Sequence, residues 1–225
     1  MSIDNRFSLT DAFAGIGLAT VLLCFYSEFV AAQSTGIRVN IEENEIDWEF
    51  DDKSREARIT RLSFEIEECL DSGTRLGFGL GYTDIDLRGD GRNASKRFTG
   101  EHLELFVRHP FAVTDDVSLL TRVNYRYNSG SDDDDESSAD IDWSELGIEL
   151  GLAIRFSNVR VTPFARYQYL DGDLSGDPAG GSFDLDNPAS AGIKVDLFTE
   201  PTAYVRLSLI GGDYSTVFLT FAREY

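Results

Sequence analysis

His102 stands between Glu101 and Glu104, and the segment before it carries Asp84 and Asp86. An imidazole among carboxylates can take a proton from water as a general base, so this is the one place where the sequence suggests hydrolytic chemistry. No serine- or cysteine-centred nucleophile motif accompanies it, which removes acyl transfer from consideration. Oxygen ligands gather in two strings, Asp132, Asp133, Asp134 and Asp135 followed by Glu136, and Asp171, Asp173 and Asp177 within a Gly- and Ser-containing stretch. Calcium takes roughly six to eight oxygens, and the second string lacks a distal bidentate Glu. Weak association with calcium or magnesium is the most these loops promise, and no other cofactor is expected.

The remaining charges are spaced at every second residue, which makes them a property of strands rather than of a compact catalytic centre. Leu146, Ile148, Leu150, Leu152, Ile154 and Phe156 alternate with Glu145, Gly147, Glu149, Gly151, Ala153 and Arg155. One row faces something oily and the other something wet or ionic. The same split recurs in Leu76, Phe78, Leu80 and Tyr82 against three glycines, and in Leu119, Val123, Tyr125 and Tyr127 against Arg122, Asn124 and Arg126. Ten segments of this kind are expected, near residues 36–49, 56–69, 74–87, 97–109, 115–128, 141–156, 159–171, 183–198, 201–211 and 214–225. Each is long enough for a membrane strand of about 9 to 11 residues. Within 36–49 the alternation changes phase between Ile41 and Ile46, which suggests a bulge or a strand leaving the membrane.

Strands with a lipid-facing side cannot leave an open edge in hydrocarbon, because unpaired backbone groups there cost several kcal/mol each. The fold expected is all-β, a single antiparallel up-and-down transmembrane barrel of ten strands, with eight or twelve as alternatives. Short connections such as Asp71-Ser72-Gly73 and Ser157-Asn158 alternate with longer polar ones such as Gly130 to Asp140, the asymmetry of periplasmic turns and outer loops. Trp48, Tyr82, Tyr125, Tyr127, Trp143, Tyr167 and Tyr169 fall at the long-loop ends, and Phe111, Phe156, Phe198 and Tyr225 at the short-turn ends, as two interfacial girdles.

The interior row then receives a charge network that includes Arg61, Glu65, Glu67, His102, Glu104, Arg122, Arg126, Glu145, Glu149, Arg155, Arg160, Arg166 and Arg206. Barrels of about eight strands are filled by their own side chains, so a ten-stranded one should be largely plugged. A narrow, porin-like channel for small solutes is the alternative.

Residues 13–26 form an apolar run too short to span a bilayer, and Val30-Ala31-Ala32 supplies small residues before Gln33. Residues 1–32 therefore read as a signal peptide and 33–225 as the barrel domain. Cys24 falls in the leader, so Cys69 would be left without a disulfide partner. The chain holds 40 acidic and 20 basic residues, a net charge of −20, which opposes binding to duplex nucleic acid.

The last segment, Val217 to Tyr225, ends on an aromatic residue with apolar residues at alternate positions before it, including Phe221; Arg223 departs from the pattern. It resembles the C-terminal assembly signal of small Gram-negative outer-membrane barrels, and the likeness extends by pattern over residues 33–225. The resemblance implies residence in the cell outer membrane, delivery by periplasmic chaperones, insertion by the barrel-assembly machinery, and contact with membrane lipids and lipopolysaccharide as a monomer. Ten-stranded outer-membrane proteases carry acidic and His residues at the outer mouth, so the His102 cluster is similar in kind to an omptin-like hydrolase. The reading reached here is a non-enzymatic barrel with a plugged charged lumen and acidic outer loops, in a structural or surface-interaction role.

Overall fold

A strand with one apolar and one polar row must hide the apolar row and pair both of its edges, and every strand of this chain does both. The computed structural model describes residues 34–50, 53–88, 96–132, 139–176, 181–212 and 214–225. The expected signal peptide, residues 1–32, lies outside the described residues. The strands are β1 (Ser34–Phe50), β2 (Lys53–Cys69), β3 (Arg75–Leu87), β4 (Lys96–Ala112), β5 (Val117–Ser131), β6 (Asp140–Phe156), β7 (Val159–Ser175), β8 (Gly181–Leu185), β9 (Ala189–Glu200), β10 (Ala203–Gly211) and β11 (Tyr214–Glu224). Ten of them pair antiparallel in chain order from β1 to β7 and through β9, β10 and β11, and β11 returns to β1 to close the barrel.

The eleventh strand corrects the expectation of one segment over 183–198, which is divided into β8 and β9. The break is at Asn187-Pro188: the Asn187 side chain accepts from the Ala189 N–H at 3.1 Å, and proline has no N–H to offer a ladder. The division changes the shape of the wall. β9 pairs with β7 over Val159–Tyr167, whereas β8 pairs with β7 over Asp171–Leu174 and, on its other edge, with β1 over Trp48–Phe50. β11 leaves β1 at Ile46. Toward the long loops, β8 alone closes the gap that β9, β10 and β11 span below, so a ten-stranded barrel narrows to eight strands.

The polarity of the two faces reverses at that level. In the lower part Val39, Leu62, Phe64, Leu80, Leu103, Ile148 and Leu207 point outward and are exposed, while Glu42, Arg61, Glu104 and Arg126 are buried inside. In the upper part Ile46, Trp48, Ile59, Ile85, Phe98, Ile141 and Leu170 are buried inside, and the outward row becomes Glu43, Glu45, Asp84, Asp142, Asp171 and Asp173. The lower band is the lipid-facing one, and the upper part is built as barrels in water are built, with each buried aliphatic side chain contributing about 2 kcal/mol.

This explains the phase change in β1 and removes the bulge proposed for it. The pairing of β1 with both β2 and β11 runs from Gly36 to Ile46 without a shift of register. Odd residues stay outside and even residues inside; what changes is the medium outside. Two of the girdle residues are corrected for the same reason. Trp48 and Trp143 are buried in the upper interior, and Phe198 turns inward at the lower rim, where its ring lies 5.4 Å from that of Tyr204. Tyr82, Tyr125, Tyr127, Tyr167 and Tyr169 do ring the outer border of the lipid band, and Phe111, Phe156 and Tyr225 are exposed at the other.

Candidate functional site

The lumen begins under the upper apolar layer. Trp48 stacks on Phe183 of β8 at 4.4 Å between ring centroids and meets Trp143 edge-on at 5.5 Å. Gly172 makes this packing feasible, since a Cβ there would come within 2.4 Å of the Phe183 ring and 2.6 Å of Trp143. The indole N–H of Trp143 donates to Glu145 Oε1 at 2.8 Å, which ties the apolar layer to the charged one beneath it.

Directly below, β1, β2, β5 and β6 aim Glu42, Arg61, Arg126 and Glu145 at one another. Arg61 reaches Glu145 at 2.5 Å and Glu42 at 3.2 Å; Arg126 reaches Glu104 at 2.8 Å and Glu42 at 3.5 Å. Gln168 and Asn128 donate to the remaining Glu145 acceptor sites at 2.8 and 3.3 Å. Buried ions repay their desolvation only when lone pairs are met in this way. Nearer the short turns, Glu65 accepts from Arg38 at 3.1 Å and from Asn40 at 2.8 Å, and Arg122 reaches Glu104 at 2.7 Å.

At the periplasmic end the basic groups outnumber their partners. Glu67 alone takes Arg38, Arg75 and Arg108, with Glu224 relieving Arg75 at 2.5 Å. Asp196 alone takes Arg160 at 2.6 Å and Arg206 at 2.5 Å. Glu149 holds Lys194, and Arg166 lines the cavity beside them. Arg155 lies outside this network: it is exposed on the rim, donating to the Ser157 carbonyl at 3.4 Å and lying 4.7 Å over the Phe198 ring. The lumen thus runs from a carboxylate-rich inner end to an arginine-rich mouth.

The cluster around His102 does not assemble. Its Nδ1 lies 2.9 Å from the Thr83 hydroxyl inside the barrel. Room for the ring comes from Gly81, where a Cβ would stand 2.3 Å from it. Glu101, Asp84 and Asp86 sit on the opposite face of the sheet, where Arg97 holds Asp84 at 3.0 Å. Glu104 is the one carboxylate of the set on the His102 side.

Of the acidic strings, Asp132 is 3.8 Å from Lys96. Asp133, Asp134, Asp135 and Asp177 lie outside the described residues. Asp171 and Asp173 face outward, with Asp184 and Asp142 directly across on the neighbouring strands. Among the described residues no three His, Cys, Asp or Glu side chains are placed to hold a metal ion.

At the C-terminal end, the Tyr225 N–H donates to the Thr35 carbonyl at 2.8 Å and the Thr35 N–H to the Tyr225 carbonyl at 3.1 Å, so the last residue closes the barrel against the first strand. Phe221 points outward into the lipid band. Arg223, the departure from the terminal pattern, is an outward rim residue 3.4 Å from Glu200 with its guanidinium 5.4 Å from the Tyr225 ring.

Sequence reasoning missed Asp196, Tyr204 and the whole upper apolar interior. A signal for the last was present: phase reversals like that of β1 recur from Ile59 to Leu62, from Tyr82 to Ile85, from Phe98 to Leu103 and from Trp143 to Leu146.

Comparison with known proteins places this geometry. The transport unit of the autotransporter AIDA-I from Escherichia coli is 9% identical, with 93% of this chain and 96% of that one covered at a TM-score of 0.51. The outer membrane protease OmpT from Escherichia coli is 8% identical, with 89% and 99% covered at 0.50. The translocator domain of the autotransporter NalP from Neisseria meningitidis is 14% identical, with 96% of each chain covered at 0.45. No curated protein matches the chain in sequence. A family model described as the autotransporter beta-domain matches residues 37–207, which takes in strands from β1 into β10. With most of its length matched, the chain belongs to the autotransporter beta-domain family and is a β-barrel of the Gram-negative outer membrane.

Proposed function

We propose that this barrel is a closed, non-enzymatic outer-membrane element that holds a rigid acidic collar at the cell surface. The observation that carries the reading is the outer cap: β8 narrows the wall to eight strands, and Trp48, Trp143 and Phe183 pack across the bore with no exposure above 2%. Beneath it the Arg61 cluster fills the section with paired charge. Passage of a solute or an extended chain would require both layers to leave the bore, an opening that sacrifices the aromatic packing and strands buried ions at once.

A hydrolytic role is disfavoured because the sheet separates His102 from Glu101, Asp84 and Asp86. The acidic collar would retain calcium or magnesium only as exchangeable counterions, a service that the divalent-bridged lipopolysaccharide around it could share. Residues 1–32 act in this reading as a removable leader, and Phe221 and Tyr225 as the assembly signal. Planar-bilayer recording from purified, folded protein tests the central claim. Silence at physiological salt is the expected result; sustained discrete openings would overturn it.

A further inference from the structure

The lumen is blind at the outer end and wet at the periplasmic end, and its charge is not balanced where it is wet. Side-chain exposure is 0% for Arg61 and 5% for Arg126 under the cap, but 20% for Arg108 and 24% for Arg160 near the short turns. Between these levels lies a cavity of about 60 Å³. Its wall carries Arg38, Arg122, Arg126, Arg166, Lys194 and Arg206 against Glu65, Glu104 and Glu149. The carboxylates just beyond do not make up the difference, because Glu67 and Asp196 are each shared among several arginines.

Cations gathered in a poorly solvated space repel one another and call for a counter-charge. A second observation points to where it would sit. Tyr204, buried among Arg38, Arg108, Arg160 and Arg206, has no acceptor for its hydroxyl proton among the described residues. An oxyanion on the periplasmic side of the cavity would accept that proton while meeting Arg38 and Arg206. A water needs about 10–15 Å³ on the same measure of volume, so the space admits a group of a few heavy atoms and no more. Guanidinium forks match tetrahedral and planar oxyanions, and a multiply charged one suits a surplus of several cations.

We propose that the arginine-lined lumen is a binding site for a small dissolved oxyanion of the phosphate class, entering from the periplasm. The closed wall of hydrogen-bonded strands keeps lipid headgroups out, so the ligand comes from solution. The site does not depend on the outer cap being sealed; conductance reads the cap and binding reads the site.

The test is calorimetric titration of inorganic phosphate into the folded, detergent-solubilised protein at constant ionic strength set with chloride. Saturable one-to-one binding is expected, weakened roughly tenfold by Arg206→Gln, the scale of one charge-assisted hydrogen bond. Tyr204→Phe removes only the hydroxyl and keeps the ring, so it decides the matter if the arginine variant does not fold; a loss of about threefold to tenfold is expected. Glu149→Gln, which increases the positive surplus, should tighten phosphate by about fivefold, where a purely structural role for Glu149 would give no gain. Heat-modifiable mobility on gels confirms that each variant is folded. Absence of saturable binding in the parent protein, or an unchanged affinity in folded Tyr204→Phe and Glu149→Gln, would overturn the proposal.

Discussion

The lower lumen and the outer cap are made by the same strands in the same register, yet one is a charged interior inside an apolar wall and the other an apolar interior inside a charged wall. β6 shows both within one ladder: Ile141 and Trp143 point in with Asp142 outside, and three residues on Glu145 points in with Leu146 outside. The pleat dictates only that neighbours face opposite sides. The medium outside and the room inside decide which side is apolar. Ten strands leave a bore that long polar side chains can cross and pair within; eight strands leave one that Ile, Leu and Trp fill completely.

The two layers should fail differently, and the largest effects come from breaking each at its centre. Trp48→Ala empties the middle of the cap and should cost about 3–5 kcal/mol in equilibrium unfolding from detergent. Arg61→Met should cost a similar amount, about 3–5 kcal/mol, because it leaves Glu42 and Glu145 short of a partner in the bore. The distinction lies in rescue. Adding Glu145→Gln to Arg61→Met removes the orphaned charge and should return most of the loss, whereas Trp48→Ala should respond only to a refilled volume such as Phe. If charge removal rescued the Trp48 variant, or failed to rescue Arg61→Met, the division into two layers would be wrong.

A smaller effect locates the border between lipid and water. Leu150 lies outward in the lower band, so Leu150→Arg should destabilise by about 2–4 kcal/mol, the cost of a basic group near the bilayer centre. Asp173→Arg, on the outward row of the adjacent strand above Tyr169, should cost nothing measurable. Equal penalties at the two positions would mean that the acidic collar is itself embedded in the membrane.

The barrel was legible in the sequence because a lipid-facing row is apolar without interruption over several alternate positions, as from Leu146 to Leu152. The lumen charges were legible as the complementary row, and the partners of Arg61 were not, since Glu145 lies 84 residues away on a strand that only closure brings near. The cap escaped notice because its strands were read by one rule throughout. Trp48 and Trp143 lie at strand ends, where an interfacial aromatic is expected, and only the parity of the residue distinguishes a girdle position from an interior one. β8 is five residues long, too short to span a membrane, and merged with β9 into one apolar stretch. His102 was overvalued for the converse reason: adjacency in sequence to Glu101 means opposite faces in a strand.

The smallest effect probes the collar itself. Asp142 and Asp173 stand directly opposite on β6 and β7, and Asp171 stands opposite Asp184 on β8. Like charges in these cross-strand positions repel, and both pairs are in contact with solvent. Tyr127 steadies Asp142 through its hydroxyl at 3.1 Å, which makes Asp173 the cleaner position to change. Asp173→Asn should stabilise the barrel by about a few tenths of a kcal/mol at low ionic strength, and the gain should vanish near 1 M salt, where the screening length falls to about 3 Å. The sign is the informative part. Neutralising Glu104 in the lumen leaves Arg122 and Arg126 without their acceptor and must destabilise, at any salt concentration, because ions do not reach that depth freely. A collar carboxylate that behaved in the same way, costly to remove and indifferent to salt, would have to be paired from within the outer loops, and the surface would then be a folded structure in its own right rather than a repelling ring of charge.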